Sequence, residues 1–484
     1  MLKHLLLTFF FLAALTSTAA NAQNLCPPGV ASDKLICVIP QVYGVNGLVL
    51  DTLQDPHFRS DFLSSSLTPL NSEIGRQSAL LPLASPSSGI TSSWDSAAKV
   101  FVSTTDSFGP ILGERAETVG KYRLSLGISY QYFKFHSLDG VDMKKLPVVF
   151  PQPDNTFNAP TGVAACSATP SIPRDTPANF GPCGYIRDVI TTSTNVDLKI
   201  HQFTTFLTFG LTNRIDVSLV IPIENVRLGV FSNATIMNNS NGLFHTFPIQ
   251  NGICGNSNAT PPQLCLNHLF SSVRTASGIS DMTLRVKGTA WKGERAGLAI
   301  GVDVRVPTGD ALNFLGSGAA GFKPFLVWSY RARVSPHVSV GYETNGSSKI
   351  AGDLSTGQKE RLPSQLTYSS GADVWLTKSL TAAFDLVGQQ VFEARRTSVT
   401  QFEELGKCLD TSGNCDPSLK FAPARSDSTL TQSTATFNMT NASVGARVKP
   451  FSGILVTGNV LIRLNDGGLR AARIVPLLGV SYTF

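Results

Sequence analysis

The sequence is poor in the features that mark most membrane proteins and most enzymes. After residue 22 it has no apolar run near the roughly 20 residues that a membrane-crossing helix needs. Charge is scarce: Asp, Glu, Lys and Arg make up 15% of 484 residues, against roughly 25% in an average chain. The net charge of +6 is spread over the whole chain, so no nucleic-acid partner is inferred. There is no G-x-S-x-G turn, no H-E-x-x-H and no C-x-x-C, which removes the common serine-hydrolase, zinc-protease and metal-pair signatures. None of His57, His136, His201, His245, His268 and His337 stands at a recognisable spacing from a serine and an acid. His201 and His337 read as wall or rim residues. The chain is therefore expected not to be an enzyme, and no catalytic, cofactor-binding or metal-ligating residue is assigned.

What the chain does have is alternation. It ends in "PLLGVSYTF", with Pro476, Leu478, Val480, Tyr482 and Phe484 at every second position and small or polar residues between them. That is the two-residue period of a strand with one apolar face. "KYRLSLGISYQYF" sets Tyr122, Leu124, Leu126, Ile128, Tyr130 and Tyr132 against Arg123, Ser125, Gly127, Ser129 and Gln131. "MTLRVKGTA", "LAIGVDVRV" and "LTAAFDLVG" repeat the pattern. These segments run about ten residues or more, enough to cross a bilayer at a tilt.

Twelve such segments are expected, near 120–135, 194–210, 215–230, 276–291, 296–307, 321–331, 336–346, 366–376, 380–393, 433–448, 454–465 and 470–484. Their connections alternate between tight turns ("LTN", "KGE", "RVS", "TKS", "KPFSG") and longer loops. Short inner turns and longer outer loops belong to bacterial outer-membrane barrels. The fold expected is all-β: a transmembrane, antiparallel, up-and-down β-barrel over residues 119–484. Phe484 and Tyr482 would form the assembly signal, read by the barrel-assembly machinery. Tyr122, Phe209, Trp291, Trp375, Phe451 and Phe484 would supply a girdle at the inner membrane interface.

The first segment has Lys3, an apolar stretch from Leu5 to Leu15 and the A-x-A site Ala20-Asn21-Ala22. It reads as a signal peptide over 1–22. Residues 23–118 read as a mostly irregular N-terminal extension or plug. Thr68, Pro69 and Pro82 bracket a short helix within 69–81, packed in the lumen or extended into the periplasm. "GITSSWD" and "KVFVSTT" suggest a hairpin at 89–105. If it joined the wall, the barrel would have fourteen strands.

Export permits disulfides. Eight cysteines fall in four close pairs: Cys26 with Cys37, Cys166 with Cys183, Cys254 with Cys265, and Cys408 with Cys415. Local bridges are expected because short loops close easily. Three pairs lie in long outer loops and the fourth in the N-terminal segment.

The inward faces of the segments carry charges of both signs. Arg123, Asp281, Arg285, Lys287, Asp303 and Arg305 come from the first half, and Lys323, Glu343, Asp373, Asp385, Arg447, Arg463 and Arg473 from the second. They would line the lumen as a paired ladder or as a hydrated path, and their mixture argues against a strongly ion-selective pore. "VRVPTGD" reads as a strand end and turn, and "GSGAAG" as a flexible loop tip at the outer mouth.

The run "SGISDMTLRVKGTAWKGERAGLAIGVDVRVPTGD", followed by "GFKPFLVWSYRARVSPHVSVGYETNG" and "GADVWLTKSLTAAFDLVGQQ", resembles outer-membrane proteins grouped as transporters of the meta-pathway of phenol degradation. Their transport role is assigned by genetic context. The matching features are G-x-x-D ahead of a strand, the P-T-G-D turn and the "LTAAFDLVG" strand. "LPLASPSSG" and "FGPILGERAETVGKYRLSLG" are similar too, so the resemblance covers roughly 80–484. It implies a β-barrel in the bacterial outer membrane that lets small aromatic or hydrophobic solutes diffuse passively. The alternative is a non-transporting surface barrel whose disulfide-tied loops bind a partner. The other partners expected are outer-membrane lipid and the solute itself.

Overall fold

The computed structural model describes residues 25–27, 29–45, 47–48, 70–71, 73–76, 92–95, 100–103, 107–150, 189–237, 247, 265–352, 354, 356–405 and 423–484. The signal segment 1–22 lies outside them. The strands are β1 (Ser92–Asp95), β2 (Val100–Ser103), β3 (Leu124–Leu138), β4 (Val141–Asp142), β5 (Leu146–Phe150), β6 (Val189–Gly210), β7 (Ile215–Met237), β8 (Asn267–Ile279), β9 (Met282–Lys292) and β10 (Ala296–Val306). They continue with β11 (Gly321–Tyr330), β12 (Val334–Asn345), β13 (Ser347–Ser348), β14 (Glu360–Arg361), β15 (Gln365–Thr377), β16 (Leu380–Leu405), β17 (Pro423–Phe451), β18 (Ile454–Arg463), β19 (Leu469–Ala471) and β20 (Ile474–Thr483).

The long strands pair antiparallel with their chain neighbours, and the sheet closes where β20 pairs with β3, from Thr483 opposite Ser125 to Leu477 opposite Gln131. The Phe484 N–H donates to the Leu124 carbonyl (2.8 Å), so the alternating tail is the closing seam. β8 and β9 both pair with β7, β8 along its outer part and β9 along its inner part. They make one wall member, interrupted at Ser280–Asp281. Counted so, the wall has twelve strands, and each coincides with an expected segment. β1 and β2 do form the expected hairpin, but as a separate two-stranded sheet, so the fourteen-strand arrangement is not adopted.

The outward face carries the apolar half of the alternation. One cross-strand row runs Leu126, Leu207, Leu219, Leu284, Val304 and Phe322 across six neighbouring wall members. Water would penalise such a belt, whereas lipid does not. On β3 the belt spans Leu124 to Tyr132, about 27 Å of strand at roughly 3.4 Å per residue. Tyr122, Phe209, Trp291, Phe451 and Phe484 are exposed at the tight-turn end, and Trp375 is half-buried there. A closed barrel leaves no unpaired edge in lipid, and this one is an outer-membrane β-barrel.

Beyond the belt the polarity inverts. On β3 the buried face changes from Ser125, Ser129 and Gln131 to Phe133 and Phe135. On β6 it changes from Thr208, Thr204 and Gln202 to Ile200, Leu198 and Val196. Outside the membrane the outer face meets water, and the inner face packs on Leu35, Ile36, Ile39, Tyr43, Leu70 and Ile74 of the N-terminal region in one apolar cluster. Residues 70–71 and 73–76 are helical. The Arg76 guanidinium lies over the Phe437 ring (5.7 Å) and donates to Gln365 Oε1 (3.4 Å).

Cys26 and Cys37 form a disulfide. Cys265 is a free, buried thiol within the same apolar cluster, and the partner expected for it, Cys254, is not among the described residues. Cys166, Cys183, Cys254, Cys408 and Cys415 lie outside the described residues.

The "GSGAAG" run is not a flexible tip. Ser317 and Phe314 are fully buried, because the Asp281 carboxylate accepts from Ser317 N (2.8 Å), Ser317 Oγ (2.7 Å) and Gly309 N (3.2 Å). Gly316 and Gly318 take positive φ values of 150° and 68°, a conformation that glycine adopts at little cost. "VPTGD" is a strand end and turn, as expected, and Asp310 caps the short 3-10 helix Ala311–Asn313 by accepting from Leu312 N (3.1 Å).

Candidate functional site in the barrel lumen

Below the apolar cluster of the N-terminal region, two features of the described residues define the barrel interior: a segment that crosses it near the tight-turn end, and a cavity above that segment. The crossing segment is residues 107–119. Its backbone is held by inward side chains from around the wall. Lys287 Nζ donates to the carbonyls of Arg115 and Glu117 (both 2.9 Å). Arg447 Nη1 donates to Phe108 O (2.9 Å). Asp385 Oδ2 accepts from Leu112 N (3.2 Å), and Asp216 Oδ2 from Val119 N (3.0 Å). Ser107 Oγ donates to Asp373. A buried backbone needs such partners, and here the wall supplies them.

The cavity holds about 290 Å³. Part of its lining is a charge ladder in cross-strand register, with Arg285 opposite Asp303 and Asp303 opposite Lys323. Arg285 grips Asp303 through Nε (2.6 Å) and Nη2 (2.8 Å), also pairs with Glu114 of the crossing segment, and lies over the Phe325 ring (4.9 Å). Lys323 Nζ is 2.9 Å from Asp303. A second group joins Arg305 to Glu343 (3.0 Å) and Asp281 (3.1 Å), with Gln365 donating to Glu343 (2.9 Å). The rest of the lining is apolar and includes Phe133, Phe135, Phe206, Val387, Leu461 and Leu469.

The expected lumen charges therefore fall into distinct places. Arg285, Asp303, Arg305, Lys323, Glu343 and Arg463 line the cavity. Lys287, Asp373, Asp385 and Arg447 hold the crossing segment below it. Asp281 is buried against the 309–317 turn. Arg123 is half-buried just before β3, and Arg473 is exposed.

Sequence reasoning offers residues 23–118 as an extension or plug but does not single out Glu114, because nothing local says where a loop lies in a barrel. His337 is a wall residue of β12, as expected, but sequence reasoning does not show its partners: Nε2 is 2.6 Å from Asp385 Oδ1 and Nδ1 is 3.5 Å from Asp373 Oδ1. Its ring is buried. The Ser107 hydroxyl donates to the same Asp373. Among the described residues, no three His, Cys, Asp or Glu side chains are grouped to hold a metal ion.

Arg470 was missed as well. It lies on β19, which pairs with the outer end of β3 above the apolar belt, and it is 3% exposed. Its Nη2 donates to Thr440 O and Asn441 Oδ1 (both 2.9 Å). Burial, and then the charge of Arg463, pushes its pKa down to about 10, still high enough to keep it cationic at neutral pH.

No curated protein matches the sequence at a significant level. Among solved structures, an outer-membrane channel from Pseudomonas putida aligns with a TM-score of 0.40 at 11% identity, over 76% of this chain and 98% of that one. A FadL homologue from Pseudomonas aeruginosa aligns with a TM-score of 0.29 at 10% identity, over 76% and 91%. The NanC porin gives 0.30 at 9%, over 61% and 98%. In sequence, residues 186–399, which span the wall from β6 into β16, match the model of the family described as "Putative MetA-pathway of phenol degradation".

Proposed function

We propose that the protein is a channel for passive diffusion of small aromatic or hydrophobic solutes across the outer membrane, with residues 23–118 as its plug. The observation that carries this reading is the internal cavity, whose wall combines aromatic and aliphatic side chains with charges that are largely paired to one another. Paired charges cost less in a narrow lumen than free ones, and they leave the aromatic surfaces to meet the solute. The solute would move down its own gradient.

Conductance in planar bilayers tests the channel. The full mature chain should give small, infrequent openings, and deletion of residues 23–88 should enlarge them. No conductance in either form would refute the reading. Growth on single aromatic carbon sources, with and without the gene, tests the solute class, and equal growth on all of them would remove the aromatic assignment.

One observation favours a second reading. The β16–β17 hairpin stays paired out to Glu404 and Arg425, far beyond the apolar belt, as a surface for a partner would. If partner binding is the task, shortening this hairpin by deletion of 400–428 abolishes attachment and leaves permeability unchanged.

A further inference from the structure

The lumen cations are not equivalent. Arg285, Arg305 and Lys323 each contact a carboxylate at 3.1 Å or less. Among the described residues Arg470 touches no carboxylate: its two hydrogen bonds go to a carbonyl and an amide, its buried Nε has no partner there, and Asp466 acts on it only at a distance. Beside it, Arg463 donates to Ser137 Oγ (3.0 Å) and lies 3.5 Å from Asp466, whose side chain is 64% exposed. A buried cation without a counter-ion is costly, so a wall that keeps one has room for an anion. Both arginines line the cavity, and the surface next to them is apolar: Phe133, Phe135, Met439, Leu461, Leu469 and Val475.

We propose that Arg470, assisted by Arg463, is the carboxylate-binding end of the lumen cavity, and that its ligand is a small organic acid with one aromatic ring or a short aliphatic chain. A free inorganic anion would use the cations and waste the apolar wall. A neutral aromatic would use the wall and leave the charge of Arg470 without an acid. The volume stands at the lower end of the roughly 300–1,000 Å³ usual for ligand pockets, which suits a single ring. Nη2 of Arg470 already serves Thr440 O and Asn441 Oδ1, so the acid would be shared between the remaining edge of Arg470 and Arg463, through the charge-assisted hydrogen bonds that guanidinium groups make to carboxylate oxygens. This inference deepens the channel reading and rests on it for the solute's path, though not for the binding itself.

Calorimetric titration of the detergent-purified full chain decides it, with phenylacetate, the neutral isostere phenylacetamide, and acetate as probes. Phenylacetate should bind saturably and at least tenfold more tightly than the other two. R470Q should lose about tenfold in phenylacetate affinity with phenylacetamide unchanged, and R470K should keep part of it. Heat-modifiable migration in gels reports whether each variant has closed its barrel. If R470Q does not assemble, the wild-type comparison of acid with amide still decides, as does R463Q. Equal affinity for acid and amide, no binding of phenylacetate, or wild-type affinity in R470Q overturns the proposal. Binding without conductance would sink the channel and keep the site, and conductance without preference for the acid would do the reverse.

Discussion

His337 on β12 and Asp385 on β16 meet across the strand that separates them, Nε2 to Oδ1 at 2.6 Å. Gly371 of β15 stands between, opposite both. A Cβ there would come within 2.6 Å of Asp385 Oδ1 and 2.3 Å of Phe384 O. Gly321 serves the same purpose between Arg305 and Glu343, since its Cβ would fall 2.8 Å from each. In a narrow barrel, a missing side chain lets two strands' charges touch over a third.

Gly371→Val should therefore break the His337–Asp385 contact without altering either partner. Leaving a buried charge without its partner costs about 3–5 kcal/mol. The check is the urea midpoint of the refolded barrel in vesicles, with His337→Ala as a comparison. An unchanged midpoint in both variants would show that the pair does not stabilise the wall.

Asp281 organises the turn that folds into the lumen, with two backbone amides, one hydroxyl and Arg305 on a single carboxylate. Asp281→Asn should release the 309–317 turn. Limited proteolysis then cuts within 310–318 in the variant and not in the wild type. Hydrogen bonds to a charged group are worth about 1.5–3 kcal/mol each, so full protection in the variant would mean that the turn is held by Phe314 and Leu315 packing instead.

Arg447 and Lys287 hold the crossing segment by its carbonyls. Arg447→Gln combined with Lys287→Gln should loosen residues 107–119 and raise the open probability in planar bilayers severalfold. The closed barrel itself should survive, because its ladders do not involve either side chain. A double variant with wild-type conductance would show that the segment does not obstruct passage.

Phe484 closes the seam through its N–H and packs edge-to-face on Tyr482 (centroids 4.5 Å apart). We expect Phe484→Ser to reduce membrane assembly in cells, since the machinery that inserts barrels would read this terminal aromatic. Refolding of the purified variant into detergent should be nearly unaffected, because the backbone bond to Leu124 remains. Normal assembly in cells would exclude the terminal ring from the signal.

The wall was legible because lipid and a polar interior impose a strict two-residue period, and that period is local. "KYRLSLGISYQYF" shows its faces without knowledge of any neighbour. The same rule misled where the membrane ends. Above Tyr132 the buried residues are Phe133 and Phe135, and the water-facing ones are Lys134 and His136, because the N-terminal region has replaced water inside the barrel. The run "GSGAAG" misled for a related reason: its glycines suggested freedom, whereas Asp281, some 35 positions earlier in the chain, holds them in place.

The sequence by itself determined an antiparallel barrel of twelve or fourteen strands, the lipid-facing side of each strand and the closing role of its last segment, since each follows from alternation and turn spacing; that the 89–105 hairpin stays out of the wall was decided by the tertiary structure. Only the tertiary structure decided which charges pair, which hold residues 107–119 and which, in Arg470, is left without an acid. Those outcomes depend on the register between strands far apart in the chain and on a segment threaded through the centre, and neither leaves a periodic trace along the sequence.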